Sequence, residues 1–158
     1  MPDKISIDFL ANHPDKVLGV AEWLFDEWGY LRENNSVEKR YDELKIQLSK
    51  TTVPIHIIAL KDNVLTGVVA LKPTEMKLFP QQEYWLGSLF VSPIFRGQGI
   101  ATLLENEIVS LAKSHSISKL YLQTEALDGG LYRKLGWQGL EIVSDHGITV
   151  LVMEKCLV

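Results

Sequence analysis

The stretch VSPIFRGQGIATLL, residues 91–104, carries an apolar segment through Pro93 and two glycines into a helical pattern. A bare turn needs fewer glycines and no arginine. Gly97 and Gly99 remove side chains where a ligand would approach the backbone, and the amides at 97–102 open a helix whose dipole is positive at that end. Such a junction suits an anion. Arg96 adds a permanent charge and Thr102 a hydroxyl, both fit partners for a pyrophosphate. The glycines alone are equally compatible with a plain strand-to-helix turn beside a solvated arginine.

The pattern on either side is a strand, a helix and a strand. Upstream, YWLGSLFV (84–91) is long and has little polar character, which places it centrally in a sheet. Downstream, Ile100, Leu103, Leu104, Ile108 and Leu111 mark a helix of about three turns ending near Ser114. ISKLYLQT (117–124) then returns as a strand, so the two strands should be parallel and joined right-handedly. Parallel neighbours of this kind leave a cleft at their carboxyl ends, where the glycine loop lies.

The rest of the chain extends this unit. ISIDFL (5–10) reads as a strand, followed by Pro14 and Asp15 as helix-start residues. Val17, Val20, Ala21, Leu24, Phe25 and Trp28 form one helix face, with Gly29 as its stop. Ser36 caps a second helix in which Val37, Tyr41, Leu44 and Leu48 recur. VPIHIIAL (53–60) and VLTGVVAL (64–71) form a hairpin about KDN, and residues 73–82, with Pro73 and Pro80, form a loop. GGLYRKLG (129–136) is a short helix, and WQGLEIVS with ITVLVMEK forms a last hairpin across DHG. The expected order is β-α-α-β-β-β-α-β-α-β-β, an α/β (α+β) fold with a mixed, mostly antiparallel sheet in one domain over 1–158.

Composition excludes several function classes. The chain has 158 residues, 46% hydrophobic and 23% charged, with a net charge of -4, the excess acid lying in the first fifty positions. No basic stripe is present to neutralise a nucleic acid. No run approaches the roughly 18 apolar residues of a membrane span, and the amino terminus lacks the apolar core of a signal peptide. The single cysteine, Cys156, allows no internal disulfide and reads as inert packing in a terminal strand, so a cytoplasmic setting is expected. The histidines at 13, 56, 115 and 146 show no metal-ligand spacing, so no metal is expected.

Spacing separates three phosphate-binding designs. A nucleotide P-loop needs G-x-x-x-x-G-K-[ST], and the sequence contains no Gly-Lys pair. A dinucleotide fingerprint needs G-x-G-x-x-G, and the third glycine is Thr102 here, although Glu125 follows the next strand as a ribose-binding acid would. About thirty residues after Glu125 are too few for the rest of a doubly wound sheet. The third design, Arg96-x-x-Gly99-x-Ala101 after LFVSP, resembles the signature of the GNAT superfamily of N-acetyltransferases. LYLQT followed by LYRKLGW is similar to that family's next strand and helix, and the resemblance spans essentially the whole chain.

The resemblance implies acetyl-CoA as co-substrate and an amine acceptor, a small molecule or a peptide. It assigns Leu89, Phe90 and Val91 to backbone pairing with the pantetheine arm, between strands that splay apart. The amides of Arg96, Gly97, Gln98, Gly99, Ile100, Ala101 and Thr102 would hold the pyrophosphate. Tyr132 matches a tyrosine that protonates the leaving thiolate, which suits a phenol of pKa about 10 facing a thiol of about 8.5. An amide near Val91 would polarise the thioester carbonyl.

Two positions depart from the family pattern. Glu125 stands where an asparagine is common, and Gly87 and Ser88 stand where many members place a basic glutamate. Glu83 and His56 are the remaining candidates for the base. Acceptor choice falls to the first two helices and loop 73–82, with Trp23, Trp28, Tyr30 and Tyr41 as candidate lining and Asp26, Glu27 and Glu33 suited to a cationic amine. A non-catalytic acyl-CoA-binding sensor of the same fold is the alternative reading. The terminal hairpin offers an edge through which a homodimer would form.

Overall fold

The computed structural model describes residues 4–31 and 33–158. Seven strands form one sheet in the order β1-β2-β3-β4-β5-β7-β6. They are β1 (Ile5–Phe9), β2 (Ile55–Lys61), β3 (Val64–Pro73), β4 (Tyr84–Val91), β5 (Lys119–Thr124), β6 (Gln138–Asp145) and β7 (Ile148–Cys156), with helices α1 (Val17–Trp28), α2 (Val37–Ile46), α3 (Ile100–Ser114) and α4 (Gly130–Lys134) between them. The chain order and the mixed, mostly antiparallel sheet are those read from the sequence.

Alternation along the buried strands sends side chains to both faces, and helices cover each. On one face Val17, Val20, Ala21 and Leu24 of α1 pack on Ile58, Leu60 and Val68. On the other Ile100, Leu104, Ile108 and Ala112 of α3 pack on Ile57, Ala59, Val69, Leu71 and Leu86. Burying each of the valine, leucine and isoleucine side chains contributes about 1.5–3 kcal/mol, so both helices are anchored by their apolar stripes.

Local chemistry sets the junctions. The Ser36 hydroxyl accepts from the Lys39 amide at 3.1 Å and starts α2. Asp62 and Asn63 both adopt positive φ (50° and 65°), which closes the β2–β3 hairpin with the twist its strands require. Gly29 ends α1 with φ -59°, passing into a 3-10 turn at Gly29–Leu31 rather than a left-handed cap. Helix α3 has 15 residues, about four turns rather than three, and β5 starts at Lys119 rather than Ile117. Cys156 is exposed at the end of β7, which corrects the expectation that its thiol is packed.

The feature that positions the site is the opening between β4 and β5. The two strands are parallel, yet they share one register pair, Trp85 with Tyr121, near the start of β4. On its other side β4 shifts register against β3 between Val68 and Ala70, partners of Phe90 and Gly87. Ser88 sits there with φ +55°. This is a bulge: an extra residue bends the strand and increases its twist. Beyond it the two parallel strands separate.

Candidate functional site

Two cavities meet at this opening. A groove of about 440 Å³ is lined by Leu89, Phe90 and Val91 of β4, by Phe95, Arg96, Gly97 and Gly99, and by Ile100, Ala101 and Thr102 of α3, with Glu27, Leu131 and Tyr132 at its end. A second pocket, of about 510 Å³, lies under the carboxyl end of α1, floored by Gly87, Ser88 and Gln123 and reached by Glu75 and by His146 of the β6–β7 turn. Glu27, Leu89 and Tyr132 line both. A reaction that joins a ligand of one cavity to a ligand of the other would take place there.

The glycine loop fits an anion. Gly97 and Gly99 both have φ +79°, and a Cβ built on either meets nothing within 4 Å, so the space above the backbone is open. Gly99 caps α3 in the left-handed conformation with no side-chain acceptor on the first turn. The first closing bond runs from the Leu103 amide to the Gly99 carbonyl at 3.1 Å, which leaves the preceding amides for a ligand. The Arg96 amide already faces the Pro93 carbonyl at 3.4 Å.

Two loop side chains are engaged by the protein itself. The Arg96 Nε donates to the Val91 carbonyl at 2.9 Å, and its guanidinium lies 5.5 Å from the Phe90 ring centre. Arg96 thus staples the loop to the end of β4. Gln98 does not line the groove; its Oε1 accepts from Lys61 Nζ at 3.2 Å on the outer side. Nine of the ten residues read as cofactor-binding therefore surround one groove, and Tyr132 closes it.

Tyr132 is half-buried on α4 and packs edge-on against Trp137, ring centres 6.2 Å apart. Burial, then the charges of Glu105 and Glu75, push its pKa up to about 12. A phenol held that high carries its proton at neutral pH and is a donor, not a base.

The candidate bases resolve unequally. Glu83 is exposed before β4 and lines neither cavity. His56 is 6% exposed within the sheet and lines neither. Burial, aided by the nearby charges of Lys72 and Arg40, pushes its pKa down to about 3. It is neutral at working pH and not placed to accept a substrate proton.

That shift has a consequence for stability. The unfolded histidine takes up a proton below about pH 6.5 while the folded one does not until about pH 3, so His56 costs nothing above 6.5 and lowers stability as pH falls below it. The slope is about 1.4 kcal/mol per pH unit. Between pH 7 and pH 5 the His56→Leu variant should lose about 2 kcal/mol less stability than the wild type in denaturant titrations. Equal losses would mean that His56 is protonated in the folded state.

The acceptor-side residues also divide. Trp28 and Tyr30 line the pocket, Trp28 while also packing on the α1–α2 core, whereas Trp23 and Tyr41 pack in that core and line neither cavity, Trp23 against Phe90 at 5.1 Å. Glu27 lines it, but Asp26 and Glu33 do not. Loop 73–82 contributes Glu75 alone. Sequence reasoning missed Glu75, although a glycine in the middle of an apolar strand signals close approach by another group. It also missed Glu105, a fully buried carboxylate on α3 that accepts from Trp137 Nε1 and Lys155 Nζ, each at 2.8 Å. Among the described residues no cluster of histidine, cysteine or carboxylate side chains has metal-binding geometry.

Comparison with known proteins identifies a family and a fold. The acetyltransferase (GNAT) family profile matches residues 17–137. N-acetyltransferase 8F1 of Mus musculus is 29% identical over 100 residues, covering 59% of this chain and 45% of the relative. N-acetyltransferase 8B of Mus musculus is 28% identical over 109 residues, covering 65% and 47%. The chain thus spans about half the length of these curated relatives. An aminoglycoside 6'-N-acetyltransferase complexed with coenzyme A superposes with a TM-score of 0.74 at 17% identity, covering 98% of this chain and 97% of the other. A ribosomal-protein-alanine N-acetyltransferase from Brucella melitensis gives 0.74 at 17%, covering 96% and 99%. At these identities the structural likeness is one of fold.

Proposed function

The chain belongs to the GNAT acetyltransferase family, and from that premise we propose that it transfers the acetyl group of acetyl-CoA to an amine by direct attack. The observation that carries this reading is the junction of two cavities at a protonated tyrosine. One cavity has the amide-lined mouth of an anion site, and the other is open to a second substrate.

The residues fit coenzyme A as donor substrate. The amides from Gly97 to Thr102 would hold its pyrophosphate, with the α3 dipole behind them. The splayed edge of β4 at Leu89 offers backbone groups to the pantetheine arm, whereas Phe90 faces its partner Val68 on β3 and the Val91 carbonyl is already taken by Arg96. The acetyl thioester would then lie near Leu89 and Tyr132, facing the acceptor pocket. Tyr132 would protonate the thiolate as it leaves; its raised pKa keeps it protonated at neutral pH but makes it a weaker acid than an ordinary phenol, a cost that exclusion of water from the thiolate has to offset.

Acceptor chemistry follows from the pocket wall. Glu27, Glu75, Glu125 and Asp145 face Arg40, Lys72 and His146 there. Arg40 is engaged by Glu43 at 3.0 Å, which favours entry of a cationic amine rather than an anionic group. The class is a primary amine on a small molecule or a peptide.

The test is thiol release from acetyl-CoA across a panel of aliphatic diamines, aminoglycosides and peptides with free amino termini, after calorimetry with CoA. Micromolar CoA binding with turnover of at least one amine is expected. Binding without turnover across the panel would favour a non-catalytic acyl-CoA sensor, and absent CoA binding would overturn both. With an amine in hand, Tyr132→Phe should lower kcat by about 10- to 100-fold and leave acetyl-CoA affinity within twofold. Unchanged turnover would remove Tyr132 from the mechanism.

A further inference from the structure

Gly87 and Glu75 occupy one site between them. A Cβ built on Gly87 would stand 2.5 Å from Cδ of Lys72 and 2.7 Å from Oε1 of Glu75, closer than real contacts allow. β4 therefore presents no side chain at this point of the pocket floor. The segment after β3 delivers a carboxylate there instead.

Two partners from different strands hold that carboxylate. Lys72 Nζ, on β3, lies 3.4 Å from Oε1, and Gln123 Nε2, on β5, donates to Oε2 at 3.0 Å. Glu75 is thus fixed across the β4 opening by both neighbours of β4, with 18% of its side chain exposed. A carboxylate offers about four acceptor positions, so two partners leave capacity for a donor arriving from the pocket. Its field also reaches Tyr132, whose proton it helps to retain.

Glu27 is the rival. It lines both cavities but stands exposed on the last turn of α1, where water screens its charge. Glu125 is exposed as well, and Asp145, with 26% of its side chain exposed, is paired with His146 of its own turn at 3.1 Å. Glu75 is the carboxylate that is partly desolvated, held at two oxygens and set beside the bulge where the strands part.

We propose that Glu75 receives the ammonium group of the acceptor and removes its proton, an inference that rests on the acetyltransferase reading above. The proton balance is complete without another reactant. Glu75 takes one proton from the ammonium and passes it to water. The freed nitrogen lone pair forms the C–N bond as the C–S bond breaks, the departing sulfur takes the proton of Tyr132, and the second nitrogen proton restores the phenol. One amide, one thiol and one solvent proton result.

The experiment compares Glu75→Gln, Glu27→Gln and Glu83→Gln with the wild type on the amine that the panel identifies, reading kcat, acceptor KM, acetyl-CoA affinity and melting temperature. Glu75→Gln should lower kcat about 100-fold, with acetyl-CoA affinity within twofold. Glu27→Gln should raise acceptor KM with a smaller loss of kcat than Glu75→Gln, and Glu83→Gln, whose exposed carboxylate lines neither cavity, should stay within threefold of wild type. Glu75→Asp keeps the charge but withdraws it by one methylene, and should lose about tenfold. It serves as the test should the glutamine variant fail to fold. Wild-type turnover in either Glu75 variant, or the larger kcat loss in Glu27→Gln instead, overturns the assignment while the acetyltransferase reading stands. Absent CoA binding or absent turnover by the wild type overturns the reading itself and the assignment with it.

Discussion

Replacing Gly99 with glutamate should weaken CoA binding at least about 1,000-fold while the protein remains folded. The cradle depends on three properties of this position. Gly99 has φ +79°, it caps the start of α3, and the direction of its missing Cβ is open. Glutamate puts bulk into that opening and a negative charge beside the amides proposed to receive a pyrophosphate, which reverses the electrostatics of the helix start. The backbone cost is separate and modest, since a non-glycine residue in the left-handed region loses roughly 1–2 kcal/mol. At about 2–4 °C per kcal/mol for a chain of this size, the melting temperature should fall by less than about 8 °C. Gly99→Ala isolates that cost, because it shares the strained φ without the charge. Calorimetry with CoA should show a much larger loss for the glutamate than for the alanine variant. Equal affinities, or a glutamate variant that binds like the wild type, would place the donor elsewhere.

What could be read in advance follows from which physical constraints leave local traces. The glycine loop was legible because the positive φ at Gly97 and Gly99 favours glycine, and the helix after it has the period of a buried stripe. The division of acceptor-side aromatics was not. Trp23 and Trp28 lie five residues apart on one helix and both pack on its core, and whether a ring also meets the cavity depends on where α1 ends relative to the β4 opening. Gln98 lies inside the glycine motif, yet it turns away because Lys61, 37 residues earlier in the chain, offers it a partner. The bulge at Ser88 left only the Gly87-Ser88 dipeptide as a trace. Gly87 read as the absence of a base, when the same glycine admits Glu75 from the preceding loop. Single-residue patterns report φ and burial well, but a carboxylate and the space it fills are joined by tertiary contact alone.

Glu105 shows the same limit in the core and gives the largest expected change in stability. It lies in the apolar pattern of α3 at full burial, where an unpaired carboxylate would be untenable. Its Oε2 accepts from Trp137 Nε1 and Lys155 Nζ, and Lys155 also donates to the Leu135 carbonyl at 2.9 Å. One carboxylate therefore ties α3 to the segment after α4 and to β7. Glu105→Ala should cost about 3 kcal/mol: it strands the buried indole N–H, leaves a cavity, and removes the partner of a lysine whose side chain is 22% exposed. That corresponds to a melting temperature lower by about 6–12 °C. Glu105→Gln retains an acceptor for Trp137 and should cost less. A double-mutant cycle with Lys155→Ala should give a coupling above about 1 kcal/mol, because each single variant exposes what the other group was neutralising. The partnerless Oε1 of Glu105 limits the loss, since that oxygen has no hydrogen bond to lose on removal and keeps the pair from its full worth. A loss below 1 kcal/mol for Glu105→Ala would mean that the pair repays only its own desolvation and that apolar packing alone holds α3 to β7.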